Sequence, residues 1–136
     1  MRTTNYGLFI HSARPFDETL AAVKDALKDE GFGVLTDIDV KATMKQKLDV
    51  DFRRYEILGA CNPPLAHAAL QAETAIGLLL PCNVIVYEDD DGGCTIGALD
   101  PMSMMSFTGN EGLTRIANEA RARLERALGA LEASTA

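Results

Sequence analysis

The chain has 136 residues, of which 47% are hydrophobic and 24% charged, so its size and composition predict a single globular domain over residues 1–136. Its formal net charge of -7 argues against nucleic acid and anionic membrane surfaces as partners, because their phosphate groups would be repelled. No apolar run approaches the roughly 18 residues that span a bilayer, and the first residues lack the apolar segment of a signal peptide, so we expect a cytoplasmic protein.

The first half of the chain predicts two strands and two helices. Residues 6–11 are rich in β-forming side chains, and Pro15 suits the first turn of a helix. That helix ends at Gly31, and its apolar residues recur at helical spacing: Phe16, Leu20, Val23 and Leu27. Residues 33–40 predict a second strand, followed by a short helix with the apolar residues Val40, Met44 and Leu48.

The second half predicts a strand, a helix and a hairpin. A strand over residues 52–60 precedes a helix that begins at Pro63. Residues 84–87 and 94–99 have the composition of paired strands, and the acidic, glycine-containing segment 89–93 predicts the turn between them.

A last helix is predicted from Glu111 to about Leu131, because leucine, isoleucine and alanine recur along it at helical spacing. Residues 130–136 form an alanine-rich tail that we expect to fray. The resulting order, β-α-β-α-β-α-β-β-α, predicts an α+β fold with a mainly antiparallel sheet and helices packed on one face.

Two Cys-Asn dipeptides are the most distinctive motif. Cys61 and Asn62 are followed by a proline, and Cys82 and Asn83 are preceded by one. Each dipeptide lies at the edge of an apolar run, where one predicted strand ends and another begins. We expect the cysteines to be thiols, since the cytosol keeps them reduced and their number is odd.

The register of the hairpin indicates what surrounds these dipeptides. If the turn spans residues 89–93, then Glu88 pairs with Cys94 and the same register places Cys82 opposite Asp100. If the strand before Cys61 also runs antiparallel to the strand that starts at Cys82, five side chains converge in one candidate ligand site: Cys61, Asn62, Cys82, Asn83 and Asp100. A parallel pair would instead separate the two thiols by a strand length, roughly 20 Å.

A thiol-dependent enzyme is one interpretation of this site. The positive end of the helix that begins at Pro63 would stabilise a thiolate at Cys61, so Cys61 is the candidate nucleophile or redox thiol and Cys82 its partner. A general base is missing from the pattern, because His67 is the sole nearby histidine and Asp100 would need a raised pKa.

Metal binding is another interpretation. The candidate metal ligands are Cys61, Cys82 and His67. His67 lies one turn into the helix that follows Cys61. Three methionines in residues 102–105 would suit copper(I), although methionines that fill gaps beside a flexible loop explain them better. A third interpretation is purely structural, with packed thiols at strand ends and asparagines that cap turns or helices.

Much of the chain also resembles a known family. The similar segments are Ala42-Thr43 to Lys47-Leu48, Val50-Asp51-Phe52, Ile57 to Pro63, Ala66, Ala69-Leu70, Ile76 to Val84 and Asp100-Pro101. They resemble the DUF302 family of small bacterial and archaeal domains. The resemblance implies an α+β fold and a homodimer, and it carries over no catalytic residue. The cofactor is unknown from the sequence.

We therefore favour a domain that binds a small ligand or metal ion at the Cys-Asn cluster. The alternatives are a thiol enzyme that uses Cys61 with Cys82, and a scaffold domain without a site. An apolar sheet face left uncovered by the helices would give a homodimer its interface.

Overall fold

Six antiparallel strands form one sheet in the computed structural model, which describes residues 1–134. The order of the strands across the sheet is β1-β2-β6-β5-β4-β3. Their bounds are β1 Arg2–Thr3, β2 Gly7–Ser12, β3 Gly33–Asp39, β4 Tyr55–Cys61, β5 Cys82–Glu88 and β6 Cys94–Leu99. The predicted α+β class and antiparallel sheet are confirmed.

Within residues 1–134, five α-helices accompany the sheet: α1 Phe16–Asp29, α2 Val40–Leu48, α3 Pro63–Ala72, α4 Ser103–Thr108 and α5 Thr114–Ser134. Two 3-10 helices cover Thr74–Leu79 and Glu111–Leu113. The predicted order is confirmed, with the short strand β1, helix α4 and the 3-10 segments as additions. None of the helices in this described part of the chain has the length and apolarity needed to cross a membrane.

The main core lies between α1, α5 and one face of the sheet. Strand side chains alternate between faces, so every second residue of β2, β5 and β6 points to the helices. The fully buried members include Leu8, Val84 and Ile96 from the strands and Val23 and Leu124 from the helices. Period-two burial in the strands and period-3.6 burial in the helices are what the sequence predicted for these elements.

A second apolar cluster lies beneath α3 and explains helix α4. Met104 is 3% exposed and packs with Ile76, Leu113, Ile116 and Ala69. The segment expected to be a flexible loop is therefore a short helix, because burial of Met104 stabilises it. Gly109 follows with φ +64 and ends the helix in the left-handed region.

The end of α5 also differs from expectation. The helix continues to Ser134, and Leu131 is buried against the main core. Fraying therefore does not begin at residue 130. Residues 135–136 of that expected tail lie outside the described residues.

The other face of the sheet carries a row of half-buried apolar side chains. Ile57 pairs with Ile85, Ile85 with Gly97, and Gly97 with Phe9, so these residues lie side by side. A Cβ on Gly97 would come within 2.6 Å of the Phe9 ring, which therefore lies over the glycine. We call this row, with the stacked rings of Tyr55 and Tyr87, the outer sheet face.

Candidate functional site: an apolar pocket beside two thiols

The pairing of β4 with β5 brings the two Cys-Asn segments together. The strands are antiparallel, with Ala60 opposite Cys82 and Gly59 opposite Asn83. Cys61 is the last residue of β4, one position beyond that pair. The predicted antiparallel arrangement of these strands is confirmed.

Cys61, Asn62 and Cys82 line a single pocket with a volume of about 300 Å³, which we call the Cys61 pocket. Its remaining walls are almost entirely apolar and come from several parts of the chain: Phe32 and Leu35, Leu65, Ala66, Ala69 and Leu70 of α3, Leu80 and Pro81, Met104, Ile116 and Ala120. Of the residues that the structure describes, no Lys, Arg, His, Asp or Glu contributes to the wall. An uncharged ligand therefore suits this pocket, because a buried charge would lack a partner.

The two thiols of the pocket differ in their environment. Cys61 is partly exposed, whereas Cys82 is 8% exposed. Burial raises the pKa of the Cys82 thiol to about 11, and the nearby Cys61 adds to the rise. Cys82 is consequently protonated at neutral pH, which makes it a poor thiolate nucleophile.

Asn62 has a structural task at the pocket wall. Its side-chain oxygen accepts a hydrogen bond of 3.3 Å from the backbone N–H of Leu65, so it is the N-cap of α3. The turn at Gly31, where φ is +86, packs closely against it, since a Cβ there would lie 2.9 Å from Asn62 Nδ2. This agrees with the capping role that the sequence left as an alternative.

Asn83 does not join the pocket. It is exposed and lies on the outer sheet face, beside Phe9 and Ile85. Because consecutive strand residues point to opposite faces, Cys82 and Asn83 cannot both face the pocket. The expected convergence of both Cys-Asn dipeptides is corrected to Cys61, Asn62 and Cys82.

Asp100 also lies outside the pocket wall. The predicted hairpin register is confirmed by the pairs Glu88–Cys94 and Val84–Ala98, but β6 ends before Asp100. Asp100 is buried, and its Oδ1 accepts a hydrogen bond of 3.0 Å from the backbone N–H of Met102. Its Oδ2 lies 3.8 Å from Arg121 Nε. The carboxylate thus holds the backbone at Met102, directly before α4.

The metal ligands expected from the sequence are not assembled. His67 is exposed on α3 and is absent from the pocket wall. Within residues 1–134, one set of three or more His, Cys, Asp or Glu side chains has ligand atoms within 4.8 Å of one another: His11, Asp89 and Asp91. That set includes neither Cys61 nor Cys82.

Several residues of the pocket wall carry no recognisable signal in the sequence. Phe32, Met104 and Ile116 form walls of the pocket although they are far apart in sequence. Apolar periodicity marked Ile116 as a core residue but gave no sign of a cavity beside it. The third cysteine, Cys94, is buried and donates a hydrogen bond of 3.6 Å from Sγ to the carbonyl oxygen of Arg14, away from this pocket.

Comparisons with known proteins show similarity to one family, both in sequence and in structure. The family model described as "Domain of unknown function DUF302" matches residues 9–131. A solved structure, the uncharacterized conserved protein DUF302 from Bacillus stearothermophilus, is similar with a TM-score of 0.85 and 29% sequence identity. The alignment covers 93% of this chain and 98% of that one. No curated protein matches the sequence.

Proposed function

The chain belongs to the DUF302 family, and we propose that this member binds a small, uncharged and largely apolar molecule in the Cys61 pocket. The observation that carries the proposal is the composition of the wall around this space of about 300 Å³. Within residues 1–134 the wall consists of apolar residues, the two thiols and Asn62, and it has no ionisable side chain except the thiols. Concave, mostly apolar cavities with a few polar groups are the usual form of small-molecule sites.

Cys61 and Asn62 give the pocket its polar edge. Cys61 is the more exposed of the two thiols, so a ligand would contact its Sγ on entry. The Asn62 side-chain oxygen is already engaged with the Leu65 N–H, so it orients the wall more than it selects a ligand. The selectivity we propose is therefore mainly for shape and lack of charge.

The proposed site can be tested with 1-aminoanthracene, a neutral apolar fluorophore. We expect its emission to rise on binding and Ala66→Leu to abolish the rise, because Ala66 lines the pocket and a larger side chain would fill it. Ala21→Leu is the matched control, since it makes the same change at an exposed position of α1. An equal loss of binding in both variants, or none in either, would contradict the proposal.

A thiol-dependent enzyme is less well supported. That mechanism would use Cys82 as the partner of Cys61, yet burial raises the pKa of Cys82 to about 11. Thiol exchange requires a thiolate, which is scarce at neutral pH for such a group.

We further propose that the protein is a homodimer that pairs through the outer sheet face. Phe9, Ile57 and Ile85 present contiguous apolar surface there, flanked by Tyr55 and Tyr87. Aromatic and aliphatic residues of this kind are typical of the centres of protein interfaces. The net charge of -7 per chain opposes association, so the contact must outweigh a repulsion that salt screens.

A reducing compartment such as the cytoplasm suits the protein. All three cysteines are free thiols. Thiols persist where glutathione and thioredoxin keep them reduced.

A further inference from the structure

We propose that His11, Asp89 and Asp91 form a binding site for a divalent first-row transition-metal ion. The site lies at the turn between β5 and β6, at the opposite end of β5 from the Cys61 pocket. It shares no residue with that pocket and does not depend on its function.

The ligand atoms of the three side chains lie close together, and the two carboxylates approach different nitrogens of the imidazole. Nδ1 of His11 lies 2.9 Å from Oδ2 of Asp89, and Nε2 lies 3.9 Å from Oδ2 of Asp91. One ligand atom from each residue lies within 4.8 Å of the others. One ion can use only one of the two ring nitrogens, so we propose that the side chains rotate and one carboxylate exchanges its contact with the ring for the ion, at the usual metal–ligand distances of about 2.0–2.2 Å.

The strand pairing places the imidazole over the turn. His11 of β2 pairs with Thr95 of β6, so both side chains emerge on the same face. Gly93 makes the close approach possible, because a Cβ there would lie 2.6 Å from the Ser12 carbonyl oxygen and 2.9 Å from His11 Cε1. A side chain at position 93 would push the turn and the imidazole apart.

Both carboxylates are oriented by groups that are not themselves ligands. The Thr95 hydroxyl donates to Asp89, 2.8 Å from Oδ1 and 3.1 Å from Oδ2. The Gly93 N–H donates to Oδ1 of Asp91 at 2.9 Å, which leaves Oδ2 toward the imidazole. Outer hydrogen bonds of this kind orient metal ligands in established sites.

The charge and donor types select the class of ion. Two carboxylate ligands carry two negative charges and a metal-bound imidazole adds none, so a divalent cation balances the set. Mixed imidazole and carboxylate donors suit Mn²⁺, Co²⁺, Ni²⁺ and Zn²⁺ rather than the thiophilic copper(I). The His11 and Asp91 side chains are 52% and 68% exposed, so water can complete the coordination of the ion.

The test uses MnCl2 and the ring-proton NMR signals of the intact protein. Mn²⁺ broadens signals near it and prefers oxygen and nitrogen ligands to thiols. The chain has two histidines, and His67 on the exposed side of α3 is the internal reference. We expect the His11 signals to broaden at an Mn²⁺ concentration at least about tenfold lower than the His67 signals, because an ordered ligand set holds the ion beside His11.

Two charge-matched variants separate coordination from simple attraction by an acidic turn. Asp91→Asn removes a proposed ligand. We expect it to raise the Mn²⁺ concentration that broadens the His11 signals by about tenfold or more. Asp90→Asn removes the same charge from the neighbouring residue, which lies 3.4 Å from Arg53 and outside the site. Asp90→Asn should leave the Mn²⁺ concentration that broadens the His11 signals nearly unchanged.

The remaining backbone signals report whether each variant is folded. Equal effects of the two variants, equal broadening of both histidines, or no broadening of His11 would overturn the proposal. In the last case the contact between His11 and Asp89 would have only a structural role.

Discussion

Ala60 and Cys82 face each other across the β4–β5 ladder, and this pair places the end of one strand beside the start of the next. Cys61 and Asn62 follow Ala60 directly, so the first turn of α3 rises at the same edge of the sheet. The packing of α3, α4 and α5 around that edge leaves the Cys61 pocket between them.

The first prediction concerns thiol reactivity. In the native protein a small thiol reagent should modify Cys61 rapidly, because it is partly exposed, and should spare Cys82 and Cys94, which are buried. Mass spectrometry after brief labelling measures this. Saturating 1-aminoanthracene should slow the reaction of Cys61. Rapid double modification, or no protection by the fluorophore, would contradict the proposed occupancy.

The second prediction concerns stability. Cys82→Ser should lower the free energy of unfolding by about 1–3 kcal/mol, because it buries a hydroxyl that lacks a partner in an apolar wall. Cys61→Ser should have a smaller effect, since its side chain is more exposed. Urea denaturation of the two variants compares them directly. A larger loss in Cys61→Ser would show that Cys61 has the more demanding packing role.

The third prediction concerns pH. Burial, followed by the hydrogen bond and charge of Asp37, raises the pKa of Glu56 to about 7 from its ordinary 4.5. An acid whose pKa is raised on folding stabilises the protein while protonated, so this contribution declines as the pH rises from 4.5 through 7. Glu56→Gln should flatten that decline in stability.

The other member of this pair, Asp37, contributes in a different pH range. Burial alone would raise the pKa of Asp37, but the hydrogen bond with Glu56 and the hydrogen bond and charge of Lys24 outweigh it and lower the pKa below 3.8. Its contribution therefore disappears only at a pH below 3.8, outside the Glu56 range. Thermal melts between pH 4.5 and 8 test the prediction, which fails if wild type and Glu56→Gln follow parallel curves.

The fourth prediction concerns association. Light scattering at tens of micromolar protein and moderate salt should give twice the 14.6 kDa chain mass. Ile85→Glu should yield monomers, because it places a charge in the middle of the outer sheet face. Leu48→Glu makes the same kind of change on α2, where Leu48 is 66% exposed, and should remain dimeric. A wild-type mass near 14.6 kDa would show that the dimer proposal is wrong.

The sequence by itself determined the elements whose signals are local. Pro15 and Gly31 bounded α1, the acidic turn set the register of β5 and β6, and Asn62 before Pro63 marked the start of α3. Turn chemistry, capping and hydrophobic periodicity act between residues close in the chain, so they can be read without the fold. The alternation of strand side chains also implies opposite faces for Cys82 and Asn83, which the expected five-residue cluster did not take into account.

The tertiary structure decided what lies beside these elements. Helix α4 forms where Met104 reaches the cluster around Ile76, a contact that no local pattern indicates. The pocket depends on Phe32 and Ile116, which meet only after the helices pack on the sheet. His11 meets Asp89 because β2 pairs with β6, a contact across many intervening residues. Cavities and ligand sets arise from such long-range packing, and the sequence carries no short-range record of them.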